Sequence, residues 1–182
     1  MTDEAQLRRL LLERSVRHGD FILASGQRSS YYIDCRLTTM SAEGMVLIGR
    51  MGLAAIRAQG WRPRAVGGLT MGADPVAYAI AAASQGTDLE MDAFSVRKEA
   101  KAHGTGQQIE GNFRAGDDVA IVEDVITSGG SASKAIAAVE QAGGRVIGVV
   151  AVVDREEGGR GLLEQGGVRV VSLTTASKLN LK

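Results

Sequence analysis

The chain has 182 residues, enough for one domain with a sizeable core, and its 21 Lys and Arg balance 21 Asp and Glu. Zero net charge argues against a nucleic-acid binder, and no apolar run approaches the ~18 residues of a membrane-spanning helix. The single cysteine, Cys35, can neither staple the fold nor build a metal cluster, and the polar start Met1-Thr2-Asp3-Glu4 is unlike a signal peptide, so a cytoplasmic globular protein is expected.

Leu7, Leu10 and Leu11 fall on one face of a first helix, with Gly19 just beyond its end and His18 as a favourable charge near its carboxyl terminus. Phe21-Ile22-Leu23 and Tyr31-Tyr32-Ile33 flank the polar run Ser25 to Ser30, a strand–turn–strand pattern. A second helix is predicted over Ser41 to Gln59, burying Leu47, Met51, Ala54 and Ala58. Ala65 to Leu69 reads as a strand, and Asp74-Pro75 as the N-cap and N1 of a helix carrying Val76, Ala79, Ile80 and Ala83. Met91 to Val96 is the next strand, followed by the polar stretch Arg97 to Gly111. Val119 to Val122 is a strand buried on both faces, and Ala132, Ala135, Ile136, Val139 and Ala142 mark a helix. Val146 to Val153 and Val168 to Leu173 close the series. Such alternation implies an α/β fold, a parallel sheet with helices on both faces, and residues 1–60 as a small cap on a core of residues 61–182. Ligands bind beyond the carboxyl ends of such strands, which directs attention to the loops after Leu69, Val96, Val122 and Val153.

The loop after Val122 reads Glu123-Asp124-Val125-Ile126-Thr127-Ser128-Gly129-Gly130-Ser131. Its glycines let backbone N–H groups cup an anion at a helix N-terminus, and the hydroxyls of Thr127, Ser128 and Ser131 complete a cage for a phosphate monoester. The carboxylates would repel that phosphate and suit sugar hydroxyls or a water-bridged metal. Neither a Walker loop nor a dinucleotide fingerprint is present. A second segment, Arg97-Lys98-Glu99-Ala100-Lys101-Ala102-His103-Gly104, concentrates cations beside Gly106 and Gly111, as a closing loop over a departing polyanion requires.

The Glu123 to Ser131 segment resembles the binding motif for 5-phosphoribosyl 1-diphosphate (PRPP) of type I phosphoribosyltransferases, and R-K-E-x-K-x-H-G resembles the catalytic loop of orotate phosphoribosyltransferases. Phe21 to Gly26 with Ser29 to Asp34 is similar to that family's amino-terminal signature, Gly67 to Gly72 to its pyrophosphate-side loop, and Asp154-Arg155 to its Asp-Arg pair. The resemblance implies a type I phosphoribosyltransferase fold with a small amino-terminal hood, and transfer of the phosphoribosyl group from PRPP to orotate. It implies that Arg97, Lys98, Lys101, His103, Glu123, Asp124, Val125, Ile126, Thr127, Ser128, Gly129, Gly130 and Ser131 bind PRPP, while Thr127 and Arg155 meet orotate. Lys101, His103 and Asp124 are the implied catalytic groups, with Lys101 and His103 equal candidates to protonate pyrophosphate. Mg²⁺ is the implied cofactor, held through PRPP and water rather than by a protein cage. A homodimer is implied as well, in which the loop from Arg97 to Gly111 serves the partner's site. Gly67, Gly68 and Gly72 would lie beside pyrophosphate, whereas Gly143, Gly144, Gly166 and Gly167 merely end helices.

The sequence departs from some members at Ala24 and at Thr70-Met71, where they carry cations, and at Tyr32-Ile33, where they carry Phe-Phe. Arg97, Lys98, Lys101 and His103 inherit more of the phosphate-side charge. A purine or uracil phosphoribosyltransferase is disfavoured by the R-K-E-x-K-x-H-G loop and Asp154-Arg155, and an RNA-binding regulator on the same fold by the balanced charge.

Overall fold

The computed structural model describes residues 2–22, 28–99 and 108–182. Thr2 caps α1 (Asp3–Leu10) by accepting from the Ala5 N–H at 3.3 Å, and a π-helical turn, Leu11–Ser15, continues it. Leu7, Leu10 and Leu11 are buried as their spacing predicts. The chain then turns extended, in β1 (Val16–Ile22), which pairs antiparallel with β2 (Arg28–Ile33). Gly19 and His18 therefore lie within a strand, correcting the reading of a helix end there; the hairpin begins earlier than its polar turn suggested.

After the short α2 (Arg36–Thr39), Ser41 opens α3 (Ala42–Ala58) by accepting from the Gly44 N–H at 3.1 Å. A Ser41→Ala variant loses that cap and about 1 kcal/mol of stability, visible as a lower urea midpoint with an unchanged slope. The buried stripe of α3 is Gly44, Leu47, Ile48, Gly49, Gly52, Leu53 and Ile56. Ala54 and Ala58 are exposed, contrary to expectation, and Met51 is half-buried. Small residues explain the shift: a Cβ on Gly49 would lie 2.4 Å from the Ala79 carbonyl oxygen and one on Gly52 2.5 Å from Ile80. The glycine face thus lets α3 approach α4 (Ala73–Ser84) closely. Asp74 is not the N-cap of α4, a position taken by Gly72; its carboxylate instead accepts from the Ser95 hydroxyl at 2.6 Å.

The remaining elements are β3 (Ala65–Leu69), β4 (Asp92–Val96), β5 (Ile109–Gly111), β6 (Asp118–Ile126), α5 (Gly130–Gln141), β7 (Arg145–Asp154), α6 (Gly159–Gln165) and β8 (Val170–Thr175). Among the described residues they form one six-stranded sheet of order β5-β4-β3-β6-β7-β8, parallel except for β5. β5 and α6 were not anticipated: one is three residues in a polar stretch, and α6 buries only Gly159 and Leu163. Ala142 caps α5 and is exposed, because the helix ends there at Gly143 (φ 82°).

Each face of the sheet has its own core. Val66, Ala120, Val122, Val150 and Val152 pack against α1, α3 and α4, whereas Ala65, Phe94, Val119, Ile121 and Val149 pack against α5 and α6. Trp61 is a packing residue; its ring lies over Gly148, where a Cβ would sit 2.2 Å from it. Gly67 and Gly68 are packing residues too, fully enclosed in β3 against Phe94, Val122 and Ala73, so their role beside a ligand is not a side-chain-free approach to it. The chain leaves β3 for α4 on one face and β6 for α5 on the other. That divergence opens a crevice beyond their carboxyl ends.

Candidate active site

A cavity of about 440 Å³ occupies the crevice. Its walls come from the β2–α2 segment (Tyr32 to Arg36), the β3–α4 loop (Leu69 to Gly72), Lys98 after β4, the end of β6, and Arg155 after β7. A smaller hollow of about 80 Å³ adjoins it, formed by Glu123 and residues 125–132.

The hollow lies where the sequence predicts an anion cup. Gly129 precedes α5 in the left-handed conformation (φ 81°) and no side chain caps the helix, so the first N–H groups of α5 remain available to a ligand. Ser128, Gly130 and Ser131 are exposed around it, and Thr127 is half-buried. Ile126 is 1% exposed within the core, which leaves it only its main chain to offer.

Glu123 and Asp124 lie inside β6, which continues to Ile126. Neighbours on a strand project to opposite sides, and the pair divides accordingly. Asp124 abuts Gly72, where a Cβ would stand 2.7 Å from its Oδ1, and that oxygen accepts from the Val125 N–H at 2.9 Å. Burial raises its pKa above the usual carboxylate value, while the backbone N–H and nearby Arg36 pull it down. Glu123 is 4% exposed and its Oε1 is buried with no partner among the described residues. Burial, and then the charge of Asp124, push its pKa up to about 8. One carboxyl of the pair is thus largely neutral near pH 7 and able to donate a hydrogen bond.

Arg155 lines the cavity yet is only 3% exposed. Its Nε and one terminal nitrogen meet Glu157 Oε1 at 2.9 and 2.8 Å, and its guanidinium lies 4.6 Å from the centre of the Tyr31 ring. Lys98 lines this chain's own cavity, although its segment is expected to serve a partner's site, whereas Arg97 pairs with Glu110 at 3.1 Å and is not part of the wall. Lys101, His103, Gly104 and Gly106, with Ala24 to Gly26, fall outside the described residues.

Sequence reasoning missed Arg36 and the depth of Cys35. Asp34 Oδ1 and Oδ2 accept from the Arg36 guanidinium at 2.8 and 3.0 Å, and Arg36 stands on the cavity wall near Asp124. It brings a cation to the cavity that Met71 also lines. The Asp-x-Arg spacing was a readable signal, since the two side chains pair across a helix start. Cys35 is fully buried, and burial pushes its thiol pKa well above the ordinary value. Among the described residues no cluster of three or more His, Cys, Asp or Glu is arranged to hold a metal, and no helix is long and apolar enough to cross a membrane.

Residues 43–172, which include the acidic pair and the start of α5, match the phosphoribosyl transferase domain family. Fold and site make the chain a phosphoribosyltransferase. Orotate phosphoribosyltransferases of Rhodopirellula baltica and Aquifex aeolicus are 44% and 46% identical to it, over 99% and 98% of this chain and 95% and 98% of their own lengths. The chain belongs to the orotate phosphoribosyltransferase family. A solved structure of Mycobacterium tuberculosis H37Rv orotate phosphoribosyltransferase in complex with 5-phospho-alpha-D-ribosyl 1-diphosphate has a TM-score of 0.83 to it at 38% identity, covering 99% of this chain and all of that one.

Proposed function

We propose that the protein transfers the 5-phosphoribosyl group of PRPP to orotate, giving orotidine 5′-phosphate and pyrophosphate in pyrimidine biosynthesis. The observation that carries the reading is the junction of β6 and α5, where an acidic pair and an uncapped, glycine-led helix N-terminus follow one another on continuous backbone and line adjoining cavities. The α5 cup takes the 5-phosphate. Glu123 and Asp124 take the ribose hydroxyls, the neutral Glu123 carboxyl able to donate. Thr127 and Arg155 face the base.

As the ribose C1–O bond breaks and a bond to the orotate ring nitrogen forms, positive charge develops on the sugar and negative charge on the leaving pyrophosphate. The nearby Asp124 carboxylate stabilises the first and Arg36 the second; Lys98, on the loop read as acting in trans, adds its charge in the partner's site. Lys101 and His103 supply further cations, one of them protonating pyrophosphate. No protein nucleophile is required; positioning and charge suffice. Mg²⁺ would be held mainly through PRPP and water, with Asp124 and Glu123 reaching it at most through water, since a hard cation that dehydrates reluctantly needs few protein oxygens. When bound it neutralises diphosphate charge.

The segment Arg97 to Gly111 is read as serving the partner's site in a homodimer. The reaction is placed in the cytoplasm, in keeping with a buried free thiol at Cys35.

Assays with orotate, adenine, hypoxanthine and uracil, each with PRPP and Mg²⁺, are expected to give turnover on orotate alone; turnover only on a purine would overturn the proposal. Mixing inactive Lys101→Ala and Asp124→Ala subunits is expected to restore partial activity in hybrid dimers. Recovery absent despite proven subunit exchange would show that each loop serves its own site.

A further inference from the structure

Arg155 is a buried cation, and its surroundings leave it little freedom. Its side chain is 4% exposed, a setting in which an unpaired charge is costly. Glu157 satisfies it side-on, one oxygen accepting from both Nε and a terminal nitrogen at 2.9 and 2.8 Å. The same terminal nitrogen donates to Ser29 Oγ at 3.3 Å, and one face of the guanidinium plane rests over Tyr31. With one edge and one face engaged, the plane can no longer rotate about its last torsion. What it shows to the cavity is its remaining edge.

The backbone that brings Glu157 back to Arg155 is itself held in an uncommon conformation. Glu156, between them, has φ 57°, a left-handed value rare for a side-chain-bearing residue. Its N–H donates to Asp154 Oδ1 at 2.7 Å, and its own carboxylate accepts from the N–H and hydroxyl of Ser177 at 2.8 and 2.6 Å. Lys182 donates to its carbonyl oxygen at 2.7 Å. The carboxyl-terminal segment thus clamps the loop so that Glu157 turns back onto Arg155.

We propose that Glu157 is a positioning residue for base recognition: it orients the Arg155 guanidinium toward the carboxylate of the pyrimidine, and so sets the preference for a carboxylated base over uracil. The inference rests on the reading that Arg155 meets orotate. Glu157 touches no substrate; it acts through Arg155.

Kinetics of the full protein with PRPP, orotate and Mg²⁺ test this. In Glu157→Ala, KM for orotate is expected to rise about tenfold, the loss of one oriented hydrogen bond, while KM for PRPP and kcat change less than about twofold. Competitive inhibition by uracil relative to orotate is expected to strengthen in the same variant. Glu157→Gln keeps an acceptor oxygen and is expected to recover KM for orotate to within about threefold of the parent. An unchanged KM for orotate in Glu157→Ala, equal rises for both substrates with a lower Tm, or a Glu157→Gln as impaired as Glu157→Ala would each overturn the proposal. The Arg155 Nε–H signal in nitrogen-15 NMR gives a readout independent of turnover: slow solvent exchange in the parent and in Glu157→Gln, fast exchange in Glu157→Ala. A parent protein that turns over another base and not orotate overturns the functional reading and with it the selectivity claim. The NMR comparison then still decides whether Glu157 holds Arg155.

Discussion

Substrate-free protein is expected to lose stability as pH rises from about 5 to 8, and the Glu123→Gln variant is expected to lack that component of the loss. The cause is a carboxyl whose pKa climbs from 4.5 to about 8 on burial. Below 4.5 the side chain is protonated in both folded and unfolded chains, so burial carries no ionisation penalty. Between 4.5 and about 8 the unfolded chain releases the proton while the folded one retains it, and stability falls with pH. Above the folded pKa both states are ionised and the dependence flattens. The shift corresponds to on the order of 3–5 kcal/mol across the window. Glutamine is isosteric, keeps a donor and never ionises. Urea unfolding of the parent and Glu123→Gln at pH 5, 6, 7 and 8 checks this, without PRPP or divalent ion. The two should be close at pH 5, with the variant the more stable by several kcal/mol at pH 8. Parallel curves would show that water reaches Glu123 and that its buried appearance carries no penalty.

A Gly159→Ala substitution is expected to raise KM for PRPP by about a hundredfold and to destabilise the protein by about 1–3 kcal/mol. Gly159 opens α6 directly beneath the phosphate cup: its N–H donates to the Thr127 carbonyl at 3.0 Å, and a Cβ there would lie 2.5 Å from both the Gly129 nitrogen and that same oxygen. These are backbone atoms and cannot swing aside as a side chain can. The added methyl must push the α5 N-terminus and its N–H groups out of register with a phosphate, which acts on PRPP binding before it acts on the base. Gly161, two residues on, is the control, since a Cβ there meets nothing within 4 Å. Gly161→Ala should bind PRPP as the parent does and gain a few tenths of a kcal/mol to about 1 from helix propensity. Equal PRPP affinity in the two variants would show that α6 does not support the cup.

The candidate site was legible wherever chemistry is carried by consecutive residues. Glu123 to Ser131 announced an acidic strand end and an anion cup because a strand, a glycine turn and a helix start follow one another without interruption. Arg155 and Lys98 were legible for a related reason, each lying just beyond a strand end that must open toward ligand. Legibility failed where a partner comes from elsewhere. Arg36 looks like one more surface arginine until β2 and α2 place it on the cavity wall. Glu157 and Gly159 look like loop residues until the turn at Glu156 folds one onto Arg155 and the other under Gly129. In the fold, the stripe of α3 was misjudged because Ala54 and Ala58 have apolar side chains, while glycines without any side chain decided which face could approach α4.

The amino-acid order by itself determined the alternation of strands and helices, the absence of a basic field, and the acidic and phosphate-cupping motifs at a strand end. Those properties depend on period, composition and local backbone preference, all of which act over a few residues. Strand order was a tertiary decision. Only the placement of β6 beside β3, with α4 and α5 on opposite faces, opens a crevice where the motifs meet. Protonation was decided there too: Glu123 and Asp124 are adjacent carboxyls in sequence, yet the closure of the core around Glu123 leaves one nearly neutral while Asp124 stays nearer Arg36 and backbone N–H groups. Desolvation and charge depend on what surrounds a group in space, and sequence neighbours are only a small part of that.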